Sequence, residues 1–328
     1  MKNKFKVNNV SLLIAIVLLV VMYLAGANMY ERFGTVSTIL YLFNDNAYLI
    51  VVAVGMTFVL LTGGIDISVA STLAFTGVFS AFLLEKGWSA GVVIPLVLFI
   101  GTFVGYVQGY AIHTFKIAPF LVTLAGQFLM RGMCAVVSTV SIPITNEFYK
   151  AAALGKFSWV LESGGRPKLY YYVFVAIVVV IIAWYVLKYT RFGRAVYAVG
   201  SNEQSAQYMG LNVKSVKIGV YAINGFCAAL GGVLFSFYTL AGYSLQNMGL
   251  ELDAISSAVI GGTLLTGGVG TVIGSMVGVL IQGIIQTIVT YQNLNTWWTK
   301  VTIAAILCFF IVIQRIIAIR AEKKKISK

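Results

Sequence analysis

Apolar runs follow one another along almost the whole chain, and few of the intervals between them could form a water-facing surface. Ten of these runs approach the roughly 20 residues that a helix needs to cross a bilayer. They lie at about residues 10–29, 46–62, 67–84, 92–113, 118–139, 169–188, 215–238, 252–266, 270–291 and 297–318, the second, third and eighth being short. Of 328 residues, 59% are hydrophobic and only 10% charged, too few polar groups to coat a soluble fold of this length. The expected fold class is therefore an all-α integral membrane protein with about ten transmembrane helices. Eight full spans is the alternative, if two of the short segments re-enter.

The charges that remain are unevenly placed. Lys and Arg total 23 against 10 Asp and Glu, a net charge of +13. In a membrane chain this balance fits cytosolic flanks and lipid headgroups rather than nucleic acid. Lys2, Lys4 and Lys6 at one end and Lys323, Lys324 and Lys325 at the other both favour the cytoplasm, which requires an even number of spans. Lys116, Lys188, Arg191, Arg194, Lys214 and Lys217 then fall on inside connections. The long connection at about 140–168 carries mixed charge, including Glu162 and Arg166. Aromatic clusters "LYYYV" and "TWW" sit at expected outer ends, where amphipathic rings favour the headgroup layer. The start, "MKNKFKVNNVSLLIAIVLLVVMYLAGA", also has the layout of a signal peptide; it is read as an uncleaved first helix because the apolar run continues almost to Ala27.

Several chemistries lack their residues. No G-x-x-x-x-G-K-[ST] occurs, since "LGKFS" has Phe157 where a hydroxyl is needed, so nucleotide phosphates have no such cradle here. The single histidine, His113, and the three cysteines, Cys134, Cys227 and Cys308, give no metal-ligand spacing. No enzymatic role, metal or cofactor is expected on this chain. An ion-coupled secondary transporter would need intramembrane carboxylates, and only Asp66, Glu251 and Asp253 are candidates. A weak internal echo, "GGIDISVAS" against "GLELDAISS", is offset by five spans, the pattern of inverted repeats.

The polar segment "TRFGRAVYAVGSNEQSAQYMGLNVKSVK", 190–217, has the density of charges and amides expected of a docking loop. Within it "NEQSAQYMG" predicts a short helix, with Asn202 or Ser201 as N-cap, Glu203 in the first turn and Gly210 closing it. This segment, together with "GGIDISVAS", "APFLVTLAGQFLMRG" and "ELDAISSAVIGGTLLTGGVGTVIGSMVGVLIQGIIQT", resembles the sugar-uptake ABC transporter permeases of the ribose, galactoside and arabinose group. "FTGVFSAF", "SIPI", "FYTLAGYSL" and "WWTK" are most similar to a membrane subunit of the bacterial galactofuranose importer. The resemblance implies one permease domain over 1–328, with the pseudo-inverted halves of type II importers and a cytoplasmic ATPase-docking loop at 189–215. It also implies a bacterial inner membrane, a second permease, a tandem ATPase subunit that holds ATP and Mg, and an extracytoplasmic sugar-binding protein. Gly200, Asn202, Glu203, Ala206 and Gly210 match the family's docking element, with Ser201 and Ala70 standing where the group has glycine.

A path for sugar should be lined by groups that bind hydroxyls weakly. Candidates are Gln127, Asn224, Tyr238, Tyr243, Gln246, Gln282 and Gln286, with Phe75 or Phe237 as aromatic faces, and Asp66 and Asp253 beside the path. Arg131 falls near mid-span, where a lone charge costs at least about 2.5–3.5 kcal/mol and is normally paired. Asp66 is expected to cap the third span through Ser68 or Val69, with a contact to Arg131 as the alternative. "ELD" at 251–253 is expected to cap the eighth span in the same way. Gly270, Gly274 and Gly278 are four apart, the spacing of a close-packed stripe.

Overall fold

The computed structural model describes residues 2–31, 33–158, 167–295 and 297–326, with side chains described from Leu12 to Val312. The chain forms α1 (Lys2–Met29), α2 (Val36–Leu61), α3 (Val69–Glu85), α4 (Ala90–Thr114), α5 (Pro119–Val137), α6 (Glu147–Leu154), α7 (Tyr171–Tyr189), α8 (Arg191–Ser201), α9 (Glu203–Tyr208), α10 (Val213–Thr239), α11 (Leu250–Ile260), α12 (Val272–Tyr291) and α13 (Trp297–Ile326). Four strands of two or three residues pair antiparallel: β1 (Ile142–Pro143) with β4 (Ala241–Gly242), and β2 (Lys156–Ser158) with β3 (Lys168–Tyr170). The terminal lysines lie outside the residues whose side chains are described, and Glu162 and Arg166 lie outside the described residues altogether.

Each of the ten apolar runs contains a helix, but they are not ten equal crossings. Among the described residues seven helices are long and apolar enough to cross a membrane: α1, α2, α4, α5, α7, α10 and α12. The apolar helices α3 and α13, the latter over Trp297–Val312, are shorter, and α11 has 11 residues. The eighth run stops early because Gly261 and Gly262, the latter at φ +97, turn the chain out of the helix.

The second run departs in the other direction. α2 begins at Val36, ten residues before the sequence pattern places it, and passes through Asn44, Asp45 and Asn46. Asn44 and Asp45 lie before the expected run and Asn46 at its first position, and the fold gives the two asparagines partners. Asn44 donates to the Lys168 carbonyl at 2.9 Å and accepts from the Tyr170 N–H at 3.1 Å, while Asn46 donates to the Leu42 carbonyl at 2.9 Å.

α2 is the centre of the molecule. It is 89% buried over its apolar window and packs against α7, α10, α11 and α12. α5, at 17%, lies at the periphery. Close helix contact comes from missing side chains, as membrane packing generally requires. Gly105 and Gly109 of α4 meet the backbone of α10 around Tyr221 and Ile218, and Gly274 and Gly278 of α12 meet Gly261 and Ser257 beside α11. Gly270 does not continue that stripe: it lies in the loop before α12 at φ +155, against Thr263.

Candidate functional site

Three polar assemblies stand out from the apolar bundle. The first is built by α8 and α9 at the end of the bundle where α2 terminates. Thr190 caps α8, its Oγ1 accepting from the Gly193 N–H at 3.1 Å. Asn202 ends α8 and caps α9, its Oδ1 accepting from the Ser205 N–H at 2.8 Å. The chain leaves α9 through Gly210 at φ +77, with the Leu211 N–H donating to the Ala206 carbonyl at 3.1 Å. The expected helix is therefore present, with Asn202 as its cap and Glu203 in its first turn.

This unit is fastened to the bundle. Gly200 abuts the Leu61 carbonyl at the end of α2, which accepts from the Gly268 N–H at 2.8 Å. The Tyr197 hydroxyl donates to the Gly270 carbonyl at 2.8 Å. Lys217 on α10 reaches both Glu203 oxygens at 2.7 Å. Of the five residues matched to the docking element, Gly200 and Ala206 thus face inward, and Asn202, Glu203 and Gly210 are exposed. Tyr208 and Met209, 89% and 68% exposed, form the apolar tip. Sequence reasoning passed over both, although an aromatic and a methionine beside a closing glycine in a polar loop are the side chains that anchor interfaces. Between α9 and the 112–119 connection lies an open cleft of about 1190 Å³ with His113, Lys116, Lys214 and Lys217 on its walls.

The second assembly surrounds Asp66, which is 1% exposed. α2 stops at Leu61, Gly63 takes φ +75, and the chain crosses to α3 as an extended loop. Asp66 Oδ1 accepts from the Ser68 N–H at 2.8 Å and the Ser68 hydroxyl at 2.7 Å, and Oδ2 accepts from Asn224 Nδ2 at 2.7 Å. Gln108 Nε2 donates to Ser68 Oγ at 2.9 Å, and the Ile67 N–H to Thr123 Oγ1 at 3.3 Å. One loop thereby binds α3, α4, α5 and α10 together at the same end of the bundle.

Arg131 is not the partner of Asp66. Its Nη1 donates to the carbonyls of Ser244 at 2.6 Å and Gln246 at 3.2 Å. The reason is distance along α5: Thr123 is the residue beside the Asp66 loop, and eight residues of helix carry Arg131 about 12 Å away. The charge is satisfied by backbone instead of by a carboxylate.

The third assembly is the segment 240–249 that Arg131 holds. α10 ends at Leu240 in the left-handed region, and Asn247 and Gly249 also have positive φ, so the segment folds back beside α3, with the Gln246 side chain against Gly77. Gln127 donates to Glu251 Oε1 at 3.3 Å, and Gln246 Oε1 accepts from the Tyr243 N–H at 3.2 Å. Three buried atoms here have no partner among the described residues: Gln246 Nε2, Asn247 Nδ2 and Glu251 Oε2. Next to them Asp253 pairs with Lys300 at 2.7 Å, and Gln282 donates to the Asp253 carbonyl at 3.1 Å. "ELD" is therefore not a cap; Gly249 holds that position and makes no side-chain bond, with Glu251 and Asp253 inside the first turn.

The expected path residues accordingly divide. Gln127, Arg131 and Gln246 come together, as do Asp253, Gln282 and Gln286, whereas Asn224 belongs to the Asp66 knot. Tyr238 is exposed. Phe75 is core, stacked on Phe79 at 5.3 Å, and Phe237 packs edge-on to Tyr149 at 4.7 Å.

Residues 38–311 match a family described as branched-chain amino acid transport system / permease component. The chain is 44% identical over 321 residues to the inner membrane ABC transporter permease protein YjfF of Escherichia coli, covering 97% of this chain and 96% of that one. It is 34% identical to the fructose import permease protein FruG of Bifidobacterium longum, over 98% and 96% of the two chains. It is 35% identical to the ribose import permease protein RbsC of Haemophilus influenzae, over 84% of each. No solved structure matches the chain.

Proposed function

Given that the chain belongs to the family of ABC transporter permease components, a multi-pass membrane subunit and not an enzyme, we propose that it forms the path of an ATP-driven importer for a small sugar. The observation that carries this reading is the α8–α9 unit: a capped helix pair, fastened to the end of α2 and to the loop before α12, with Tyr208 and Met209 projecting. A push on that tip is transmitted to two long helices at once, which is what ATP-driven rigid-body gating needs. ATP and Mg belong to a separate tandem ATPase subunit, and Gly200, Asn202, Glu203, Ala206 and Gly210 shape the element that meets it. We infer ten crossings in pseudo-inverted halves, with α3, α11 and α13 as the short ones, and with both termini and the docking unit on the cytoplasmic side.

The importer also contains a second, non-identical permease and an extracytoplasmic sugar-binding protein. α5, largely unburied in the single chain, supports a neighbouring permease along that side. The sugar class follows the relatives, named for fructose and ribose import, and galactofuranose is the specific substrate, on the likeness of "FYTLAGYSL" and "WWTK".

The test is uptake in cells carrying the whole importer. Tyr208→Ala with Met209→Ala should lower uptake of labelled galactofuranose at least tenfold and release the ATPase on purification, with the permease level unchanged. Uptake that survives ATP depletion but stops on collapse of the ion gradient would identify a secondary transporter instead.

A further inference from the structure

The first half of α2 carries an acidic group that the bundle leaves without a counter-charge. Asp45 is exposed. The ion pairs among the described residues are Glu203–Lys217 and Asp253–Lys300, and Asp45 belongs to neither. Its neighbour Asn44 fixes its level in the fold: the two bonds from the Asn44 amide to β3 hold this turn of α2 beside the start of α7. Tyr238 lies in the last turn of α10. In the orientation proposed above, this end of the bundle is the extracytoplasmic one.

Tyrosines frame the carboxylate. Tyr48, on the next turn of α2, packs edge-on to Phe235 of α10 at 4.8 Å, and Phe235 meets Tyr238 at 6.2 Å. On the other flank Tyr170 stacks on Tyr172, with ring centres 5.4 Å apart. The charge of Asp45 bears on the phenols of Tyr48, Tyr172 and Tyr238, and Tyr170 bears on Tyr238, so both aromatic flanks lie about one carboxylate. Tyr238 is exposed and Tyr48 and Tyr170 are half-buried, which leaves the group accessible from outside the bundle.

The chemistry selects the occupant. Ring faces are electron-rich and attract cations, and a planar guanidinium stacks on tyrosine while it pairs with a carboxylate. An anion is repelled by rings and carboxylate alike. A basic side chain on a docking protein satisfies both halves of the site at once.

We propose that Asp45 and its tyrosine frame receive an arginine or lysine side chain of the extracytoplasmic sugar-binding protein and anchor that protein over α2. The proposal rests on the importer reading above and deepens it. α2 runs from this anchor to Leu61, whose carbonyl Gly200 of the α8–α9 unit abuts. One buried helix, about 24 Å long from residue 45 to residue 61, thus joins the receptor-binding face to the unit that meets the ATPase.

The assembled importer is placed in lipid nanodiscs and titrated with its sugar-binding protein by biolayer interferometry, at about 50 and about 500 mM salt. The parent should bind, and more weakly at high salt, because an exposed ion pair is screened. At low salt Asp45→Asn should weaken binding about tenfold or more and Asp45→Lys about a hundredfold, while Asp45→Glu, which keeps the charge, should stay within about threefold. Tyr170→Leu should weaken binding about fivefold, and Tyr170→Phe, which keeps the ring, should not. Each variant should yield as much assembled importer as the parent, which separates lost docking from misfolding. Parent-like binding by Asp45→Asn, equal loss in Asp45→Glu and Asp45→Asn, or failure of Asp45→Asn to assemble overturns the anchor. Uptake of labelled galactofuranose by the complete importer is measured alongside. ATP-dependent uptake with no effect of Asp45 on docking defeats the anchor alone, whereas uptake insensitive to ATP depletion defeats the importer reading.

Discussion

Asp66 and Arg131 look alike in the sequence, as isolated charges among apolar residues, and the structure resolves them differently. Asp66 is an organiser of backbone and polar side chains, and Asn can do most of that work: its carbonyl still accepts from Ser68, and Asn224 can turn its own unmet oxygen towards the new amide. Asp66→Asn should therefore keep uptake within about twofold, whereas Asp66→Leu strands three buried donors at roughly 1–3 kcal/mol each and should reduce the membrane level below a tenth. Immunoblots alongside uptake check both, and a dead Asp66→Asn at normal level would show that the charge itself is needed. For Arg131→Met, two carbonyls of the 240–249 segment lose a charged donor worth about 1.5–3 kcal/mol; the Tm should fall by several degrees, with faster hydrogen exchange at 243–247. Which residues are unusual was legible in the sequence, and so was the bond from the Ser68 N–H to Asp66; the partners of Arg131 were not. A carboxylate is the obvious counterpart to an arginine, but backbone carbonyls freed by positive-φ residues at 240, 247 and 249 satisfy it equally well, and residue identity alone does not mark them.

At the level of elements, caps and breakers were the legible part. Asn202 and Gly210 start and close α9 through their own local chemistry, which needs no tertiary information, whereas the stop at Gly261 and Gly262 cut short a run expected to reach 266. The start of α2 was not legible, because Asn44 and Asn46 are helical only through bonds to β3 and to the preceding turn. The same local logic makes α9 testable. Asn202→Ala removes a cap worth about 1 kcal/mol and should weaken ATPase retention several-fold during purification, while Asn202→Asp should not. Gly200→Ala would drive a methyl group into the Leu61 carbonyl and abolish assembly. Gly210→Ala faces open space and bears only the left-handed backbone penalty of about 1–2 kcal/mol, so a milder loss is expected in the same purification assay.

For the whole molecule, the ten-run pattern located the apolar helices but not α6 or α8, while burial separated α2 at the centre from α5 at the edge, a distinction that uniform hydrophobicity conceals. The proposed orientation predicts labelling from opposite sides in a cysteine-free background. An impermeant maleimide should reach Gln204→Cys only after the membrane is opened to its cytoplasmic face, and Tyr243→Cys in intact spheroplasts; the reverse pattern would invert the topology. The position of α2 also bears on how the chain is made. It leaves the ribosome second among the helices, yet α7, α10, α11 and α12, which enclose it, are synthesised up to more than two hundred residues later. During that interval its future contact surfaces must be covered by lipid or by the insertion machinery. A chain truncated before Val272 therefore leaves α2 open on the side α12 would cover, and membrane quality control can recognise an unfinished molecule by that bare flank.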